Sequence, residues 1–277
     1  MLRRWSAPLA IAALGLGSLI AAGGPAAAAP VAHPSGTTLT RPGGAIRGFH
    51  PGGPMIRAGS HTPSQGRTME QESSNWSGYA QVAGAGAFKS VSANWTQPTA
   101  HCPSSTQQYA AFWVGLDGFN SNSVEQTGSD SDCNGTTPDY YGWYEMYPAN
   151  PVYYTNPVSP GDSFSASVTF SGTETYTLVL TDHTRGWTHK QVINEAGFSR
   201  SSAEVITEAP CCTASGGILP LADFGTINYT GATGTKGTFT NANAERIIMV
   251  DGNGLPEDST SRITTPGDFS NTWIRSN

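Results

Sequence analysis

Apolar side chains fall on every second position through much of this chain. Phe88-Lys89-Ser90-Val91-Ser92-Ala93-Asn94-Trp95 shows the alternation, as do Ser163 to Phe170 and Tyr176 to Leu180. A period of two, carried by β-branched and aromatic residues, predicts strands with one buried face. Turn-forming groups recur between these runs: Gly84-Ala85-Gly86, Pro160-Gly161-Asp162, Ser171-Gly172, Arg185-Gly186 and Gly252-Asn253-Gly254. No long stretch after residue 72 carries an apolar stripe at helical spacing. Many short strands with regular turns predict an all-β sandwich of two antiparallel sheets, formed as one domain over residues 73–277.

The first 72 residues follow other rules. Arg3 and Arg4 open the chain, and a run rich in Ala, Leu, Ile and Gly leads to Ala27-Ala28-Ala29. A charged start, a short apolar middle and a small-residue exit describe an export signal over 1–29, removed on secretion to the extracellular space. No second apolar run of about 20 residues follows, so no membrane association is expected after signal removal. From 30 to 72 Pro, Gly, Ser and Thr dominate, a composition that buries too little apolar surface to offset its ordering entropy. This stretch reads as a disordered pro-segment or linker. Charge favours the pro-segment, because 30–72 carries four Arg and two Glu while 73–277 carries eight Lys and Arg against eighteen Asp and Glu. A basic leader is drawn to an acidic domain at neutral pH and released as carboxylates protonate.

The acidity also excludes nucleic acid as a partner, since phosphates call for stripes of Lys and Arg. Four cysteines in an exported chain suggest disulfides. Closing the stretch between Cys102 and Cys133 would contribute ~3–4 kcal/mol. Cys211 and Cys212 are adjacent and either pair together or reach elsewhere, so three connectivities stay open. No Gly-x-Ser-x-Gly elbow occurs after residue 72, which removes the usual serine hydrolase. His183 and His189 lie six apart across an expected turn, a spacing that suits surface histidines better than a zinc site. No metal or other cofactor is expected. Carboxylates, amides and aromatics remain.

Four segments set such groups among apolar and aromatic neighbours. They are Ser74-Asn75-Trp76-Ser77-Gly78-Tyr79; Ala111-Phe112-Trp113-Val114-Gly115-Leu116-Asp117-Gly118 with Val124-Glu125-Gln126-Thr127-Gly128; Trp143-Tyr144-Glu145-Met146-Tyr147-Pro148; and Ala203-Glu204-Val205-Ile206-Thr207-Glu208 with Leu219 to Gly225. Strand alternation puts Glu204, Ile206 and Glu208 on one face and Val205 and Thr207 on the other. With Val205 facing the core, both glutamates would look outward. Trp113, Gly115 and Asp117 would likewise share a face. A sheet face carrying Trp, Asp, Glu and Gln has the makings of a substrate groove.

These segments, in this order from about Ser73 to Tyr229, resemble the glutamic peptidases, or eqolisins. The resemblance implies a lectin-like, jelly-roll sandwich, a cleaved leader, and a monomeric endopeptidase that acts on polypeptides in acid. It implies that Gln126, in a Gln-Thr-Gly turn after Trp-Val-Gly-x-Asp-Gly, and Glu208, closing Ala-Glu-x-Ile-x-Glu, form the catalytic pair, with Glu204 the weaker candidate. It places Trp76, Trp113, Asp117 and Glu145 in or around the substrate cleft. Glu125 before the glutamine, Met146 in the Tyr-Glu-x-Tyr-Pro segment and the cysteine placement depart from the fungal pattern.

In such a site ionised Glu208 would take a proton from water and return it to the leaving nitrogen. Gln126 would hold that water and donate N–H to the oxyanion. Working in acid would require donors that keep the Glu208 pKa near or below the working pH, with Asp117 and Glu145 as orienters. The alternatives are a glycoside hydrolase using Glu145 and Glu208, and a carbohydrate-binding module with aromatics on an open face. The hydrolase reading gives Gln126 no role, and the binding module predicts Gln126 and Glu208 far apart.

Overall fold

The computed structural model describes residues 38–41, 44–47, 52–58, 70–103, 105–211 and 217–276. The expected export signal, most of the expected pro-segment and Cys212 lie outside the described residues. Among the described residues the chain forms strands and no α-helix. In chain order they are β1 (Thr38–Arg41), β2 (Gly44–Arg47), β3 (Glu70–Ser73), β4 (Trp76–Val82), β5 (Ser90–Thr96), β6 (Ala111–Leu116), β7 (Val124–Asn134), β8 (Thr137–Tyr147) and β9 (Val152–Tyr153). There follow β10 (Ser163–Phe170), β11 (Thr175–Asp182), β12 (Trp187–Asn194), β13 (Ser202–Glu208), β14 (Thr226–Gly234), β15 (Gly237–Thr238), β16 (Glu245–Met249), β17 (Asp258–Thr260) and β18 (Phe269–Trp273).

Strands β1 and β2 pair with each other. The rest form two large sheets, one in the order β12-β11-β10-β5-β14-β18-β17 with β15 beside β14, the other β3-β16-β4-β13-β6-β7-β8-β9. The architecture is the expected all-β sandwich. One pair departs from the antiparallel rule, for β3 runs parallel to β16. The two-residue link Ser74-Asn75 carries the chain from β3 to β4 on opposite sides of β16, which forces that direction.

The core between the sheets is built from the alternation read in the sequence. Phe112, Val114 and Leu116 of β6 and Ala203 and Val205 of β13 join Phe164, Val168, Leu178 and Leu180 of the other sheet in one apolar cluster. Cys102 and Cys133 form a disulfide, which selects among the open pairings. Cys211 is disulfide-bonded as well. A second apolar cluster lies on the far face of the β13 sheet, around Trp76, Trp113, Trp143 and Ile206. Residue Met55, from the leader, belongs to it.

Candidate active site

Register fixes which side chains share that far face. On β13, Glu208 pairs with Trp76 of β4 and Ala111 of β6, and Ile206 pairs with Gly78 and Trp113. Trp113 pairs in turn with Gly128 of β7, and Gly115 with Gln126. Gln126 pairs with Glu145 of β8, and Gly128 with Trp143. Trp76, Trp113, Gln126, Glu145 and Glu208 are thus neighbours on one surface. Gly115 keeps the centre open, because a Cβ there would sit 2.8 Å from the Trp113 ring and 3.2 Å from Gln126 Cβ.

Every polar group in this trough is fully buried, so its hydrogen bonds decide its state. Gln126 Nε2 donates to Glu145 Oε2 at 3.0 Å. An ionised carboxylate oxygen only accepts, so this contact fixes the flip of the amide and leaves Oε1 free as an acceptor. Oε1 is buried with no partner. Glu208 Oε2 accepts from Trp113 Nε1 at 2.9 Å and its Oε1 from Asn75 Nδ2 at 3.2 Å. Trp76 packs edge-on against Trp113, with centroids 4.9 Å apart. The floor continues through Trp143, whose Nε1 donates to Asp130 Oδ1 at 2.6 Å, and Tyr141, whose hydroxyl touches both Asp130 and Asp132.

Part of the trough is covered by residues 52–56, within the stretch expected to be a pro-segment. Gly52 and Gly53 are buried against it, and the Gly52 carbonyl accepts a hydrogen bond from Gln126 Nε2. The Gly53 carbonyl accepts from Trp76 Nε1 at 3.0 Å and the Pro54 carbonyl from Asn75 Nδ2 at 3.1 Å. Beyond it, Met55 N–H donates to the Gly118 carbonyl at 3.0 Å and Ile56 N–H to Asn75 Oδ1 at 2.7 Å. A side chain at position 52 would collide with the Gln126 amide, so only glycine lies this close.

Burial dominates the electrostatics here. Burial pushes the Glu208 carboxyl well above the usual carboxylate range; the Trp113 bond opposes this, the Glu145 charge adds to it, and the Asn75 bond opposes it again. The sequence led us to expect an ionised Glu208 held down by donors. The donors are there, but desolvation outweighs them, and the net shift is upward. Tyr147 responds in the same sense, raised by burial and then by both Glu145 and Glu208. Glu204 is also fully buried and raised well above its normal range by burial, rather than facing water.

Asp117 is the one residue of the expected set that does not join this surface. Strand β6 ends at Leu116, and Asp117 adopts φ 71°, which breaks the alternation expected to align it with Trp113. Its carboxylate accepts instead from the backbone of Arg200 and Ser201 at 2.5 and 2.8 Å. It anchors the loop that leads to Gly118 and Phe119. Two residues escaped the sequence reading. Asn75, which bridges Glu208 and the Pro54 carbonyl, was part of a quoted segment but was given no role there; its one signal was the polar Ser-Asn beside a tryptophan. Tyr147 was part of a quoted segment but carried no spacing that distinguished it from packing.

Comparison with known proteins agrees with this fold. The sequence profile of the Peptidase A4 family matches residues 74–268. Aspergillopepsin-2 of Aspergillus niger is 29% identical over 222 residues, covering 71% of this chain and 77% of its own length. Scytalido-glutamic peptidase, solved with a transition-state analogue inhibitor, superposes with a TM-score of 0.63 at 24% identity, over 73% of this chain and 98% of that one. Aspergilloglutamic peptidase from Aspergillus niger gives 0.52 at 24% identity, over 60% of this chain and 99% of its own. These two structures share the fold, and the profile match carries the assignment. The chain belongs to the Peptidase A4 family and is a peptidase of the glutamic type.

Proposed function

We propose that this peptidase is exported as a precursor and hydrolyses polypeptides in acid, with Gln126 and Glu208 activating one water between them. The supporting observation is the convergence of both side chains on the leader. Gln126 holds the Gly52 carbonyl, and Asn75 joins the Pro54 carbonyl to Glu208. Two residues of extended chain span at most about 7 Å, so both side chains act on one short stretch of peptide. The Glu145 charge is felt by Glu208 while its oxygen accepts from Gln126, a second link between the pair.

In this reading Gly52 O stands where the carbonyl of a substrate would lie. Gln126 Nε2, aimed by Glu145, stabilises the oxyanion, a donor worth about 10²–10³-fold. Gln126 Oε1 orients the water. Glu208, once uncovered and ionised, takes the water's proton and passes it to the departing nitrogen, worth about 10²–10⁴-fold. Trp113 holds Glu208 in place and Trp76 holds the chain beyond the bond.

The same contacts make residues 52–58 part of a pro-segment that keeps the precursor idle: it fills the trough and, by desolvating Glu208, keeps the general base protonated. Removal of the leader to a start near Ser73, in the extracellular medium, would free the site. An acid digest of denatured protein by the processed chain tests the dyad. Glu208→Gln and Gln126→Ala should each abolish cleavage while circular dichroism stays sheet-like, and full activity in either would end the mechanism.

A further inference from the structure

Residues 52–56 touch the trough almost entirely through their backbone. The Gly52, Gly53 and Pro54 carbonyls each accept from a side chain, the Met55 N–H reaches Gly118 O, and the Ile56 N–H reaches Asn75. Ile56 is also held through its carbonyl, which accepts from Ser74 N–H at 2.8 Å. Backbone recognition of successive residues holds an extended peptide whatever its sequence. Side chains are treated differently. Ile56 is exposed, and Arg57 lies at the surface, bonded to Gln71 and Asn120 with its guanidinium 5.0 Å from the Phe119 centroid, whereas Met55 is only 9% exposed and belongs to the cluster of Trp76, Phe119 and Val124.

We infer that this leader segment traces the path of a bound substrate, and that the Met55 pocket is the subsite that selects an apolar side chain at the third residue after the cleaved bond. The count rests on the proposed role of Gln126: with the Gly52 carbonyl as the one attacked, Gly53, Pro54 and Met55 are the next three residues. The pocket is built rather than incidental. Its wall is the loop after β6, which Asp117 ties to Arg200 and Ser201 and which Gly118 N–H closes onto Ser121 Oγ at 2.8 Å. That loop supplies both the carbonyl that fixes the Met55 backbone and the Phe119 ring. Asp117 is therefore a positioning residue for specificity, not a catalytic one.

An apolar pocket of this kind rejects charge strongly and discriminates size weakly; a missing methylene or two costs roughly 10–200-fold. Long flexible side chains such as Met and Leu fit it, while Asp, Lys and Gly leave it charged or empty.

The test digests a mixed peptide library in acid with the full chain after acid treatment, and reads the cut sites by mass spectrometry. Met, Leu and Phe should be enriched at least about tenfold over Gly, and more strongly still over Asp and Lys, three residues after the cut. Phe119→Ala should flatten that preference. An even distribution at this position in the wild type overturns the inference while leaving the peptidase reading intact. Enrichment that persists in Phe119→Ala also overturns it, because the preference then arises elsewhere. If the library is cut equally by Glu208→Gln, the dyad itself fails and the counting falls with it.

Discussion

The two large sheets of this molecule are made of the same kinds of residue and behave differently. In the sheet of β10, β11 and β12, burial alternates: Phe164, Ala166, Val168, Tyr176, Leu178 and Leu180 point inward, and the residues between them are partly or fully exposed. In the sheet of β6, β7 and β13, nearly every residue is buried on both faces. The first has one apolar face and one wet one, as an antiparallel sheet of a sandwich ordinarily does. The second places glutamates, a glutamine and tryptophans on its far face and has leader backbone laid over part of it. One sheet has an ordinary wetted face and the other carries the proposed site, and substitutions should separate the two.

Glu208→Gln should give the largest effect. Loss of the general base lowers the turnover number by at least about 10²–10⁴-fold. The fold should suffer little, since the amide has the size and shape of the carboxyl it replaces; an amide N–H facing Trp113 or Asn75 costs about 1–3 kcal/mol. Leu178→Ala on the other sheet should do the reverse. Leu178 is fully buried, so its truncation costs about 2–5 kcal/mol in urea unfolding. The folded fraction should keep its turnover number. A large loss of turnover in Leu178→Ala, or of stability beyond that range in Glu208→Gln, would erase the distinction between the sheets.

The interior also holds carboxyls that sharpen the comparison through pH. Asp258 is buried, with Ser77 of β4 donating to it and Asn271 of β18 donating to Ser77, so it sits where the two sheets meet. Burial raises it from 3.8 to about 7, opposed by its Ser77 and Met249 bonds, with the Glu257 charge adding to the rise. A carboxyl whose pKa is higher folded than unfolded binds more protons in the native state. Its contribution to stability is therefore complete below about pH 4 and is lost as pH rises towards 7. Glu125 and Glu204, raised well above the usual range by burial first of all, act in the same direction. Thermal midpoints should fall between pH 4 and 7, and Asp258→Asn should flatten that slope. A midpoint that climbs over this window would reverse the sign and remove acid stability from the account.

How much of this was legible beforehand follows from the same contrast. The outer strands could be read from alternation because one face of each meets water, and period two is then an unambiguous signal. The β13 sheet could be placed only as strands. Its far face is buried, in part beneath residues 52–56, and Glu204 and Glu208, expected to look outward, are enclosed. Gln126 and Glu208 came from motifs matched to a family, and the register shows them on one surface with Glu145. Asp117 was misplaced because the pattern ran one residue past the end of β6, where a left-handed turn redirects the chain. Asn75 could not have been found by spacing, since what it contacts is a segment twenty residues earlier and a glutamate more than a hundred residues later.

The smallest predicted effect is the most exacting for the division of labour. Val192 lies on β12, the edge strand of the outer sheet, and is 59% exposed. Val192→Thr keeps the β-branched shape and puts a hydroxyl where water already reaches, so stability should shift by no more than about 0.5 kcal/mol. Ile206→Thr, on β13, makes a change of the same kind on a fully buried position between Gly78 and Trp113. There the hydroxyl meets no water, and an unpaired buried polar group costs about 1–3 kcal/mol on top of the lost apolar contact. Paired urea titrations of the two variants should therefore differ by several-fold in their shift of midpoint. Equal shifts would mean that the far face of the β13 sheet is as wet as that of β12, and that the leader does not seal the trough in solution.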